Sequence, residues 1–74
     1  MINIKKGDVF IDPRDGEIII VRNINNYSIN HYFKFVNSQD FYPSSLGIEE
    51  FYNYIKGFVP LHPILIKLWK LDVE

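Results

Sequence analysis

The segment from Glu17 to Ile24 constrains this chain more than any other. It reads Glu-Ile-Ile-Ile-Val-Arg-Asn-Ile, with Arg22 as its only internal charge. β-Branched side chains are stiff at χ1 and suit a pleated, packed surface, so the segment predicts a strand. In extended form Ile18, Ile20, Arg22 and Ile24 share one face, and Glu17, Ile19, Val21 and Asn23 share the other. Both faces are largely apolar. A strand of that kind belongs inside a sheet that is covered on each side.

Its neighbours follow from turn chemistry. Asp12-Pro13-Arg14-Asp15-Gly16 precedes it. Proline presets φ at the second turn position, and glycine takes the left-handed position that closes a bulged hairpin. Val9, Phe10 and Ile11 then form the partner strand. Asn25-Asn26 predicts a two-residue turn on the other side, because Asn tolerates positive φ. Residues 28–37 form the third strand, with Ile29, His31, Phe33 and Phe35 towards the core and Asn30, Tyr32, Lys34 and Val36 half-exposed. The result is a three-stranded antiparallel meander.

The second half is more helical. Residues 38–43 read as a loop or short strand. Ser45 is a suitable N-cap, Glu49 and Glu50 complement the helix dipole, and Ile48, Phe51, Tyr52 and Ile55 recur at helical spacing. Gly57 suits the C′ position and Pro60 follows the stop, so a helix is expected over 45–56. For 63–72 the reading is a helix opened by Pro63, with a strand closing a small barrel as the alternative. The fold class is α+β, mainly β.

With 74 residues there is room for one small domain, residues 1–74, and its limited core makes self-association or a partner useful. Cysteine is absent, which excludes disulfides, thiolate nucleophiles and cysteine-ligated metals. An unstapled domain of this size favours a cytoplasmic home. Residues 1–6 have no apolar run, so no signal peptide is expected. The longest apolar run is four residues, far short of a membrane span. Net charge is −1, so no global field draws the chain to nucleic acid or membrane. Ile occurs twelve times and Asn seven, while Ala and Thr are missing, a usage that points to an AT-rich genome.

The opening Ile4-Lys5-Lys6-Gly7-Asp8-Val9, followed by a turn glycine and Glu17-Ile18-Ile19-Ile20-Val21, resembles the start of small SH3-like β-barrels and KOW-type modules over residues 4–24. The layout as a whole is similar to short phage and mobile-element proteins. These begin with Ile-x-x-Gly-[Asn/Asp], continue as a small meander and step through prolines into a C-terminal helix. Here that step is Phe58-Val59-Pro60-Leu61-His62-Pro63. The resemblance implies that the meander is part of a small SH3-like barrel, and it implies an origin, but no activity.

Candidate chemistry is sparse. Asp8, Asp12, Asp15 and Glu17 surround the first turn, but without the alternating pattern of a calcium loop they read as turn residues, and no metal or cofactor is expected. His31 lies on the predicted core face and His62 between two prolines, and both read as structural. Ser28, Ser38, Ser44 and Ser45 have no nucleophile-elbow glycines, so no catalytic residue is expected. Two surfaces remain. Aromatic residues crowd the last 34 positions, and Tyr and Trp favour protein interfaces. Tyr42, Tyr52, Tyr54 and Trp69, rimmed by Glu49 and Glu50, are the candidate partner-binding residues. Alternatively Lys5, Lys6, Arg14, Lys34 and Tyr32 make a basic, aromatic surface for single-stranded nucleic acid. The expectation is a small non-catalytic protein-binding module or inhibitor that occludes a surface of a host protein, with a homodimer possible. The alternative is an SH3-like or KOW-type nucleic-acid-binding module.

Overall fold

Asp12 builds the first turn. In the computed structural model, which describes residues 3–71, β1 (Val9–Ile11) pairs antiparallel with β2 (Glu17–Ile24). Between them the Asp12 carbonyl accepts from the Gly16 N–H at 2.8 Å, and its Oδ1 accepts from the Arg14 N–H at 2.9 Å. Gly16 has φ +78°, and a Cβ there would stand 2.9 Å from Val36 Cγ1. Glycine is required at this position for both reasons.

β3 (Ser28–Phe35) pairs with the other side of β2. The connection is three residues, 25–27, rather than the two-residue turn expected. Asn25 explains the extra residue, because its Oδ1 accepts from the N–H groups of Tyr27 and Ser28 at 2.8 and 2.7 Å and caps a wider loop. β3 also ends two residues before Asn37, where the Val36 N–H turns to the Gly16 carbonyl at 3.0 Å. Ile29 and His31 are buried as expected, whereas Phe33 is half-buried and Phe35 is 45% exposed at the end of the sheet.

The helix expected over 45–56 is shorter. Residues 42–47 form β4 (Tyr42–Gly47), which pairs with β3 through His31 opposite Ser44 and Asn30 opposite Ser45. Ser45 is therefore a strand residue and not an N-cap. Helix α1 (Ile48–Tyr54) starts where that ladder stops. Glu50 caps it by reaching back, its Oε1 accepting from the Gly47 N–H at 3.2 Å. Gly57 lies two residues beyond the cap residue Ile55, at φ +87°.

β5 (Val59–Pro60) then pairs with β1. The five strands form one antiparallel, open sheet in the order β4-β3-β2-β1-β5. Each edge strand contains a proline, Pro43 or Pro60, which has no N–H to offer a further strand. Residues 63–68 are helix α2 (Pro63–Leu68), not a strand. Pro63 occupies the first turn, and the His62 Nδ1 accepts from the Ile64 N–H at 3.2 Å as the cap. Asp72, the end of the expected element, lies outside the described residues.

β2 is central and packed on both faces as far as Val21, whereas Arg22, Asn23 and Ile24 at its end are exposed and not covered as expected. Ile19 and Val21 join Phe10, Ile29, Phe51 and Ile55 under α1. Ile18 and Ile20 join Val9 and Leu71 on the other face, with Ile66 of α2 and Leu61 packed against them. The architecture is thus a mainly-β, α+β sheet of five strands with one short helix on each side.

Candidate functional site

α2 touches the sheet through little of its surface. Ile66 is its one half-buried apolar residue, whereas Ile64, Leu65, Leu68 and the following Trp69 are 62%, 37%, 69% and 51% exposed. Ile64 and Leu68, and Leu65 and Trp69, stand four residues apart and are neighbours on the helix surface. A helix this short has no room for a second apolar stripe facing the core. Isolated exposed apolar residues are ordinary, whereas here three on α2 and the cap residue Trp69 stand close together in sequence.

The expected partner-binding residues do not form one patch. Trp69 belongs to the α2 surface. On the other face of the sheet, Glu49 and Tyr52 line an open groove of about 880 Å³ along α1, with Ile48, Lys56 and Phe58. Glu50 is the α1 cap. Tyr42 is 51% exposed on the edge strand and packs its ring against Phe33 at 5.7 Å.

Tyr54 is engaged elsewhere. Its hydroxyl donates to the Glu17 carboxylate, 2.6 Å from Oε1 and 2.7 Å from Oε2. Burial, and after it the neighbouring carboxylate, push the phenol up to about 12. Glu17 itself is only 7% exposed. Together with His31, Phe33, Ser44 and Leu46, this pair lines a cleft of about 300 Å³ between the sheet and α1. His31 is 2% exposed, with its ring edge against Phe51 at 5.1 Å. Its Nδ1–H donates to the Ile29 carbonyl at 3.2 Å. Burial holds the imidazole below its ordinary value, against the opposing pull of that carbonyl and of Glu17, so it is neutral at pH 7. The cleft brings Ser44, His31 and Glu17 together, but among the described residues no hydrogen bond joins Ser44 to His31 or His31 to Glu17. Spacing alone hides this cleft, because Glu17 and Tyr54 are 37 residues apart.

The basic residues are similarly dispersed. Lys5 and Lys6 are exposed before β1. Arg14 grips Asp12 through two hydrogen bonds of 2.9 Å and holds that carboxyl below its ordinary value. Tyr32 and Lys34 do come together, on the sheet face opposite α1. The Arg22 guanidinium stands 4.6 Å over the Tyr32 ring, Tyr32 meets Phe41 at 6.3 Å, and the Lys34 ammonium is 5.1 Å from the Phe41 ring. Of the turn acids, Asp8 Oδ2 accepts from the Lys5 N–H and Asp15 Oδ1 from the Glu17 N–H. Among the described residues no group of three or more metal-ligating side chains occurs, and no helix is long and apolar enough to cross a membrane. Comparison of the chain with protein-family models, with curated proteins and with solved structures finds no match.

Proposed function

We propose that this chain is a small non-catalytic protein-binding module that acts by occluding a surface of its partner, with the α2 surface as its contact. The observation that supports this is the exposure of Ile64, Leu65, Leu68 and Trp69. Burying them against a partner gains roughly 25 cal/mol per Å² of apolar surface, before the cost of association. Pro43 and Pro60 disfavour the competing route of strand addition at the sheet edges. An SH3-like kinship, a phage or mobile-element origin and a cytoplasmic site of action belong to the same proposal. They rest on the Ile4–Val9 opening, the residue usage and the lack of cysteine.

The test is a pull-down from a low-GC bacterial lysate, with and without nuclease, using the chain and its Ile64→Gln/Leu68→Gln variant. A stoichiometric protein that survives nuclease and is lost with the variant supports the reading. Retention of the same protein by the variant overturns the assignment to α2. If the chain self-associates and the variant does not, the partner is a second copy.

The Arg22–Tyr32–Phe41–Lys34 strip supports a second reading, a platform for single-stranded nucleic acid, which pairs cations with stacking rings. Recovery of only nuclease-sensitive material, with binding that weakens steeply as salt rises, would favour it.

A further inference from the structure

The cleft between the sheet and α1 holds a carboxylate without a counter-ion. Glu17 is 7% exposed, and its carboxylate accepts from one donor, the neutral Tyr54 hydroxyl. Among the described residues the only ion pair is Arg14 with Asp12. His31, the one other lining side chain that can carry a positive charge, is neutral at pH 7 because it is buried. Buried carboxylates are ordinarily paired with a cation or held by several donors, so one this poorly matched has unused capacity to accept. Asp12 and Asp15 add their negative charge nearby, Asp12 offset by Arg14. The cleft's other walls include the rings of Phe33, His31 and Tyr54 and the side chain of Leu46, surfaces that suit an alkyl stem and a cationic head. Its volume, about 300 Å³, is at the lower end of the range for small-ligand sites.

We propose that this cleft is a recognition pocket for one protonated amine or guanidinium on a flexible alkyl stem, with Glu17 as its counter-ion and Phe33 and Tyr54 as its walls. The chemistry is shared by a lysine or arginine side chain of a protein and by a free alkylamine. The pocket lies on the sheet face opposite α2, so it stands or falls independently of the α2 contact.

The experiment is an amide-resonance titration of the intact chain with four probes: N-acetyl-lysine methylamide, N-acetyl-arginine methylamide, agmatine and the uncharged N-acetyl-norleucine methylamide. The expected result is saturable shifts confined to residues around Glu17, His31, Phe33 and Ser44, with a Kd at or below the millimolar range for a cationic probe. Norleucine should bind at least about tenfold more weakly, the factor set by loss of a charge-assisted hydrogen bond. Glu17→Gln should weaken the cationic probes by a similar factor, whereas Tyr54→Phe should retain them. Tighter binding of the blocked amino acids than of agmatine assigns the source to a protein side chain, and the reverse assigns it to a free amine. No saturable shift with any cationic probe, or equal binding of norleucine, overturns the proposal. If Glu17→Gln fails to fold, the comparison of lysine with norleucine on the unsubstituted chain decides.

Discussion

Phe51 should be the most sensitive single position in the described structure. It is fully buried, sits on α1, and packs with Phe10, Ile19, Val21, Ile29 and Ile55. Phe51→Leu keeps the side chain apolar but removes three carbons. At about 0.8 kcal/mol per buried methylene, that loses roughly 2.4 kcal/mol. Loss of the edge-on contact with His31 at 5.1 Å adds about 0.5–1.5 kcal/mol. Collapse of the site keeps the added cavity term small, so the expected cost is roughly 3–4 kcal/mol. A domain of this size holds only about 3–5 kcal/mol in total. At about 4–8 °C per kcal/mol, the Tm should fall by roughly 10–30 °C. The control is Leu68→Gln, which changes a residue 69% exposed on α2 and should cost about 0.5 kcal/mol or less. Both variants are read by thermal and urea unfolding followed by circular dichroism. A Tm change of less than about 3 °C for Phe51→Leu, or an equal loss for Leu68→Gln, would refute the assignment of α1 to the core and α2 to the surface.

Two titrations test the cleft. Burial lowers the His31 pKa, so the folded state binds fewer protons than the unfolded state below the ordinary value of 6.5. Stability should be complete above that pH and fall as pH drops through 6.5 towards the folded value. The slope should reach at most about 1.4 kcal/mol per pH unit and flatten in His31→Gln; a pH-independent stability between 7.5 and 5.5 would count against a buried neutral imidazole. One of the five tyrosines should ionise late, at about 12, in an ultraviolet titration. Its stabilising effect is present below pH 10 and lost as pH rises from 10 to 12. Glu17→Gln should move that tyrosine down, because it removes the negative charge that its hydroxyl contacts; an unchanged curve would show that Tyr54 and Glu17 are not paired.

Local chemistry made the N-terminal half legible. The two apolar faces of residues 18–21 require a covered central strand, and the two clusters on either side of β2 supply that cover. The need for positive φ at Gly16 and the place of Pro63 at a helix start are also properties of a few adjacent residues. Ser45 shows where local reasoning stops. It has the chemistry of a helix cap, yet pairing opposite Asn30 takes it into β4, because ladder hydrogen bonds to β3 satisfy more backbone groups than one cap does. The candidate sites depend on tertiary structure in the same way. Aromatic content marked the second half as a place for contacts, but helical spacing cannot say which stripe of 63–69 faces the sheet. Packing through Ile66 decided that, and left Leu68 and Trp69 outside. Glu17 read as a turn acid because its partner, Tyr54, is 37 residues away. The sequence by itself determined which segments must be covered. Only the tertiary structure decided what covers them, which apolar residues remain exposed and which carboxylate is buried without a cation, because each of those outcomes depends on residues far apart in the chain meeting in space.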